Sequence, residues 1–397
     1  MLVPAGAAVD AVIKDLLPLV SPGDIIIDGG NSHFSDTIRR ISELEDKAIH
    51  FTGMGVSGGE EGARRGPSIM PGGDPEAWKA LQPILESVAA RINDEPCVAY
   101  MGKGAAGHYV KMVHNGIEYA IMQLISEIYD LLKRGLNCSN DELHGIFKQW
   151  NEGALQSFLV EITAAIFRQQ DPETGKQLVD MILDKAGSKG TGKWTSQEAM
   201  DLGIPVPTID MAVAMRDLSS FKSERLKAAA VYKPSVKSFT GDRNKIISQL
   251  GDALYTAIII SYAQGLAMLQ KASAERQMDI PLQDTVKIWR GGCVIRSSLL
   301  EIFTGIYKKQ PSIPNILLDK KLAALVKKSQ RGLRKSLQLA VASKIPVAGL
   351  MSALAYLDAY SSERLPINLV QAQRDYFGAH TYQRIDREGS FHSEWNG

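Results

Sequence analysis

An α/β region followed by a larger all-helical region is the fold class this sequence predicts. Three observations carry it. Up to about residue 103, short apolar runs alternate with amphipathic stretches. From Gly104 onward no strand pattern recurs. Within the helical part, two stretches resemble each other.

In chain order, Ala7 to Val20 places Val9, Val12, Ile13, Leu16, Leu17 and Val20 at helical spacing. Asp24 to Asp28 contains Ile25-Ile26-Ile27 and runs into Gly29-Gly30, the pattern of a buried parallel strand. Ser35 to Lys47 reads as a charged helix, and His50 to Val56 as a second strand before a glycine-rich turn. Asp74 to Ala90 reads as a helix with Asp74 as N-cap and Pro75 in first position. Cys97 to Met101 completes the expected parallel sheet as a last short strand. Tyr109 to Arg134 is one long helical pattern, with Lys133 and Arg134 in its last turn and Gly135 as its stop. Leu155–Gln169, Ile246–Lys271, Ile316–Ala342 and Val347–Tyr360 are also helical by periodicity. Met122–Leu132 and Ile260–Gln270 are similar helices. Each is followed about 20 residues later by a Trp with a Gly three further on, Trp150/Gly153 and Trp289/Gly292, as two matched bundles would produce. Leu365 to Gly397 opens with a short helical run and turns irregular from Gln371. Its aromatics, up to Trp395, suggest a tail that docks on something.

Composition narrows the function classes. The 397 residues carry 45 basic and 44 acidic side chains, a balance that does not favour a nucleic-acid-binding surface. Three widely spaced cysteines, Cys97, Cys138 and Cys293, without CxxC spacing, read as buried thiols of a reducing compartment rather than a disulfide framework or zinc site. No run approaches the apolar length of a membrane span, and Met1–Gly6 lacks the features of a signal peptide, so the expected location is the cytoplasm.

Four segments carry candidate chemistry. On a helix, Lys111, His114, Asn115, Glu118 and Tyr119 share one face while Val110, Val113 and Ile117 fill others. A solvated face would hold more long charged side chains, so the stripe suggests a lined cavity. There, Lys111 and Glu118 could act as base and acid if burial tunes them, or form only an ion pair. Gly53 to Arg64, continuing through Pro67–Gly73, is glycine-rich after a strand and could aim backbone N–H groups at an anion, or simply turn. Asp28–Ser32 follows a strand. Asn31 could therefore face a ligand beyond the strand's carboxyl end, or Asn31 or Ser32 could cap a helix. Lys189–Thr195 is basic and glycine-rich, a candidate phosphate or carboxylate loop that lacks the Walker A pattern. Arg216, Arg374 and His380 are further basic candidates.

Taken together, DIIIDGGNS (24–32), GVSGGEEGAR (55–64), GPSIMPGG (66–73), GHYVKMVHNGIEY (107–119), KGTGKWT (189–195), RDLSS (216–220), WRGGCVIRS (289–297) and QAQRDYFGAHTY (371–382) resemble the decarboxylating 6-phosphogluconate dehydrogenases. The resemblance runs in order from Met1 to Trp395. It implies a Rossmann-like NADP-binding part at 1–103, an all-helical part with a duplicated bundle at 104–364, and a tail at 365–397 that docks on a partner subunit. It also implies oxidative decarboxylation of 6-phosphogluconate to ribulose 5-phosphate in the pentose phosphate pathway, by a homodimer that needs no metal. In that scheme Lys111 is the base and Glu118 the acid. Asn31, Ser57, Gly58, Gly59, His114 and Asn115 hold the sugar acid. Tyr119, Lys189 and Arg216 bind its phosphate, and Arg374 and His380 reach the pocket from the partner. Val3, Pro4, Ala5 and Asn31 touch the cofactor, with Pro4 standing where the family usually carries Lys.

The family pattern opens with a strand, a GxGxxG turn and a helix. Within residues 1–60 that spacing is met at Gly53–Gly58, which matches the family's substrate loop instead. The expectation is therefore a truncated Rossmann-like part that binds NADP poorly. Two other readings stand beside it. One is a non-catalytic remnant that keeps the helical dimer and sugar-phosphate binding. The other is a related β-hydroxyacid dehydrogenase, against which Lys189, Arg216, Arg374 and His380 argue.

Overall fold

A computed structural model describes residues 1–395. They form two compact units, Met1–Leu354 and a second that begins at Ala355. The first unit opens with α1 (Ala7–Leu16), whose pattern ends in a single 3-10 turn at Pro18 because proline cannot continue the hydrogen-bond ladder. Next come β1 (Ile25–Asp28), α2 (Phe34–Glu45), β2 (His50–Ser57), α3 (Gly59–Arg65), β3 (Ser68–Gly72) and α4 (Pro75–Val88), then the small hairpin β4 (Arg91–Ile92) and β5 (Glu95–Pro96). Asp74 caps α4 as expected, its carboxylate accepting from the Glu76 N–H at 2.8 Å.

The sheet order is β1-β2-β3. β1 and β2 are parallel, with Ile25 opposite His50. β3 runs antiparallel to β2, with Gly53 opposite Gly72, so the sheet is mixed where a parallel one was expected. β3 lies in the stretch read as a glycine-rich loop. All five of its residues are buried, so no polar alternation marks it in the sequence. The strand expected at Cys97–Met101 reduces to one parallel bridge between Ile69 and Val98. Pro71 has no N–H to donate, and the ladder breaks between the bond from Ile69 N–H to Cys97 O (2.9 Å) and that from Met101 N–H to Pro71 O (2.7 Å). Strand alternation divides the core: Ile26 packs with Val9, Ile13, Leu44 and Phe51, whereas Ile25 and Ile27 pack with Ile69, Leu81 and Leu85.

The helical part comprises α5 (Ala106–Asp130) with a π turn at Leu131–Gly135, α6 (Asn140–Asn151), α7 (Phe158–Ile166), α8 (Leu178–Met181), α9 (Thr191–Asp201), α10 (Pro207–Ser220), α11 (Lys222–Tyr232), α12 (Arg243–Glu275), α13 (Leu282–Ile288), α14 (Leu299–Lys309), α15 (Lys320–Ser343) and α16 (Ala348–Tyr360). The 33-residue α12 is long and apolar enough to cross a membrane, contrary to the sequence reading. It is a core helix packed against α5 and α15. At Gly265 an added Cβ would lie 2.5 Å from Ile117, so the two long helices meet at the closest approach a glycine allows.

The internal similarity is visible in space. α5, α6 with Trp150, and α7 correspond in order to α12, α13 with Trp289, and α14. The equivalent segments ahead of α7 and α14 bond to each other reciprocally: Phe158 N–H to Arg296 O at 3.1 Å, and Ser298 N–H to Gln156 O at 3.0 Å.

In the second unit, the residues expected to be irregular from Gln371 are helical as far as Gly378, within α17 (Ile367–Gly378). The helix is largely exposed, so its sequence lacks the apolar stripe that marks a core helix. The chain after it closes around the buried Asp375 carboxylate, which accepts from Thr381 N–H, His392 Nδ1, Ser393 N–H and Trp395 Nε1 at 2.9–3.1 Å.

Candidate active site

Glycines seat α5 on the sheet. A Cβ at Gly55 would lie 2.4 Å from the Lys111 Cβ, one at Gly72 2.3 Å from the Gly107 nitrogen, and one at Gly107 2.2 Å from the Gly53 oxygen. The glycine-rich segment expected to cradle an anion therefore serves mainly close helix–strand packing. Gly58, at φ 124°, makes the turn between β2 and α3, and Gly59 opens α3 at φ 61°. His108 pins the helix, with Nδ1 2.7 Å from Thr37 Oγ1 and Nε2 3.1 Å from Asp28 O.

A cavity of about 580 Å³ opens along α5. Among the predicted residues, Asn31, Ser57, Gly58, Gly59, Lys111, Asn115, Glu118, Tyr119, Lys189 and Arg216 line it. Neither Asn31 nor Ser32 caps α2. His33 does, accepting the Ser35 N–H, while Ser32 donates to Asp28 at 2.5 Å, leaving Asn31 to the cavity. The Lys189 loop leads directly into α9, whose N-cap is Gly190 at φ 94°. The Arg216 guanidinium stacks 3.7 Å above the Tyr119 ring and donates to Gly187 O.

His114 keeps to the expected face of α5 but does not line the cavity. It is wholly buried behind the cavity wall, edge-on to Trp289, with Nε2 2.8 Å from Cys293 Sγ and 3.2 Å from Ser57 Oγ. Its Nδ1 lies 3.0 Å from Asn115 Oδ1, which accepts from Lys111 Nζ at 2.6 Å. Burial lowers the Lys111 amine from its ordinary value, against the pull of Glu118. Burial raises the Glu118 carboxyl, opposed by Lys111 and Arg216. Burial, then the neighbouring Lys111 charge, holds His114 neutral, so its 3.9 Å approach to Glu118 is not an ion pair.

Val3, Pro4 and Ala5 run beside the end of β1. The Met1 carbonyl accepts the Gly29 N–H, and Val3 O would be 2.9 Å from a Cβ at Gly30. Arg374 and His380 belong to the second unit. There Arg374 donates to Gln371 at 3.1 Å and His380 packs edge-on to Phe377. The three cysteines are buried. The sequence reading missed that Cys293 backs the site and that Val294, Thr191 and Met122 line it. The one available signal was WRGGCVIRS, where an invading Gly-Gly-Cys follows the Trp of the repeat.

The profile of the 6-phosphogluconate dehydrogenase C-terminal domain matches residues 107–395, and that of the NAD binding domain of 6-phosphogluconate dehydrogenase matches residues 1–102. The chain is 53% identical, over its whole length and 84% of the relative's, to the decarboxylating 6-phosphogluconate dehydrogenase of Lactococcus lactis. This chain belongs to the 6-phosphogluconate dehydrogenase family. The NADP(+)-dependent, decarboxylating 6-phosphogluconate dehydrogenase of Bacillus subtilis is also 53% identical, with 84% of its length covered. A solved Plasmodium falciparum 6-phosphogluconate dehydrogenase, studied in apo form and with NADP+ or 6-phosphogluconate, superposes with a TM-score of 0.96 at 46% identity. That match covers 99% of this chain and 85% of the other. Family membership supersedes the reading as a more distant β-hydroxyacid dehydrogenase.

Proposed function

We infer that the chain catalyses oxidative decarboxylation of 6-phosphogluconate to ribulose 5-phosphate and CO2 with reduction of NADP. The observation that carries this reading is the pair on α5: a lysine whose pKa burial lowers and a carboxylic acid whose pKa burial raises, on one wall of one cavity. Those shifts are in the directions a base and an acid need near neutrality.

Lys111, as free amine, takes the proton of the substrate 3-hydroxyl as C3 is oxidised. A bound NADP supplies the hydride acceptor. The resulting β-keto acid loses CO2 while the Lys111 ammonium hydrogen-bonds the ketone oxygen and offsets the charge that develops there. Glu118 then delivers a proton to C1 of the enediol. Asn31, Ser57, Gly58, Gly59 and Asn115 orient the sugar acid, with His114 acting from behind Ser57 and Asn115, and Tyr119, Lys189 and Arg216 take its phosphate. Arg374 and His380 reach the same pocket from the partner in a homodimer of this cytoplasmic enzyme. The working division is 1–103 for cofactor, 104–364 for the helical body and 365–397 for the docking tail.

The residues present fit one end of the cofactor: Val3–Ala5 and Asn31 lie at the carboxyl end of β1. The Gly53–Gly58 spacing offers no pyrophosphate cradle, because Gly53 packs on His108, Gly55 on Lys111 and Gly58 on Gly292.

The test is NADPH formation and CO2 release with 6-phosphogluconate, alongside calorimetric binding of the substrate. The expected result is NADPH and CO2 in equal amounts. Tight substrate binding without turnover would favour the non-catalytic remnant, and absence of binding would remove both readings.

A further inference from the structure

The residues around His114 contain one more hydrogen-bond donor than the imidazole can use in a single state. Both Cys293 Sγ, at 2.8 Å, and Ser57 Oγ, at 3.2 Å, address Nε2. On the other side, Nδ1 faces Asn115 Oδ1 at 3.0 Å, and that oxygen already accepts from Lys111 Nζ. A carbonyl oxygen accepts only. With Nδ1 unprotonated, its lone pair would face that oxygen at 3.0 Å, and the Lys111 Nζ donor, already given to the same oxygen, lies farther off at 3.4 Å. With Nδ1 protonated, it donates to Asn115, and Nε2 becomes the acceptor that its two neighbours require.

Those two neighbours differ in placement. Ser57 lines the cavity, and its oxygen also receives the Val294 N–H at 3.4 Å, so its hydroxyl proton is free to turn toward an occupant. Cys293 has no exposed surface and does not line the cavity. Burial pushes its thiol pKa up to about 12, so it keeps the proton that it would donate. The other groups facing the ring are Lys111 and Glu118 from α5 and Trp289, which packs edge-on.

We propose that Cys293 is a positioning residue that, through its S–H donated to Nε2, holds His114 as the Nδ1–H tautomer and thereby keeps Asn115 Oδ1 aimed at the Lys111 amine when substrate occupies Ser57. The role assigned to Lys111 rests on the proposed activity, whereas the tautomer and its dependence on Cys293 do not. Indirect orientation of this kind, through a partner that touches no substrate, parallels the outer-shell donors that fix metal-bound imidazoles.

The experiment is nitrogen-15 NMR of histidine-labelled full chain, without ligand and with 6-phosphogluconate, for wild type, Cys293→Ala and Cys293→Ser. In wild type the His114 Nδ1 is expected at a protonated shift and Nε2 at an acceptor shift, both unchanged by 6-phosphogluconate. Cys293→Ala is expected to show mixed tautomers once 6-phosphogluconate is added. It should lower kcat about 10-fold with little change in KM, and Cys293→Ser should restore both. If the alanine variant fails to fold, the serine variant decides alone. A stronger O–H donor must move the Nε2 resonance without moving Nδ1, and no movement overturns the proposal. An Nε2–H tautomer in wild type, or an alanine variant indistinguishable from wild type with substrate present, also overturns it. Expected NMR signals in a chain that does not turn over would refute the proposed activity and leave this inference standing.

Discussion

Two long helices lie against each other in the helical part, and both bury polar side chains, yet they treat them differently. On α12, the wholly buried Thr256, Ser261 and Gln264 complete their bonds within their own packing. Thr256 donates within reach of Asp252 O (2.9 Å) and Ser329 Oγ (2.7 Å), Ser261 donates to Ala257 O (2.9 Å), and Gln264 exchanges two bonds with Thr208 at 3.0 Å. On α5, Lys111, His114 and Asn115 bond chiefly to one another, and Lys111, Asn115 and Glu118 border open space. The two helices come from matched segments, so the repeat supplied the scaffold and only one copy buries lysine, histidine and glutamate side chains. The lesson is that a buried polar group indicates chemistry when its bonding is left open toward a cavity, and structure when it is closed.

The sharpest way to break this contrast is Lys111→Met, which keeps length and apolar volume. Turnover should fall by about 10³-fold or more, since a positioned base contributes roughly 10²–10⁴-fold. Stability should rise, which a merely structural lysine would not allow. The sign follows from linkage. Below the lowered folded-state pKa both states hold the proton and the folded state bears the burial cost. Between that value and the unfolded 10.5 the unfolded chain binds more protons, so wild-type stability increases with pH. The methionine variant's advantage in urea unfolding should therefore shrink as pH rises through that window. A constant advantage would contradict a buried, depressed lysine.

Glu118→Gln comes next, with an expected loss of about 10²-fold in turnover. Glu118 acts as an acid, so activity in wild type declines as pH rises through its raised pKa, and it declines at the other end as falling pH protonates Lys111. The glutamine variant should lose the alkaline limb and keep the acid one. A profile that keeps both limbs would assign the alkaline limb to another group.

Sequence alone made α5's face legible because five polar residues at helical spacing on an apolar helix are hard to explain otherwise. It located most of the cavity wall, since Asn31, Ser57 and Lys189 sit at ends of elements where turn residues show. It did not show what covers His114, because angular position on a helix does not say which neighbour packs over it, and here Trp289 and Cys293 arrive from about 180 residues away. β3 was hidden because a fully buried strand has no alternation, and the role of Gly53, Gly55 and Gly72 because tight packing and anion binding ask for the same residue. The continuation of α17 beyond Gln371 was hidden because an exposed helix has no apolar stripe.

The smallest effect tests the closed side of the comparison. Thr256→Val removes the hydroxyl from α12 and leaves Ser329 with its bond to Leu325 O at 3.0 Å, so no buried donor is stranded. The expected cost is about 1 kcal/mol of stability, the net value of a typical internal hydrogen bond. kcat and KM should match wild type. If instead activity fell several-fold at unchanged stability, the polar groups of α12 would be coupled to those of α5 across the glycine contact at Gly265, and the division between the two helices would have to be redrawn along that contact rather than by which groups face the cavity.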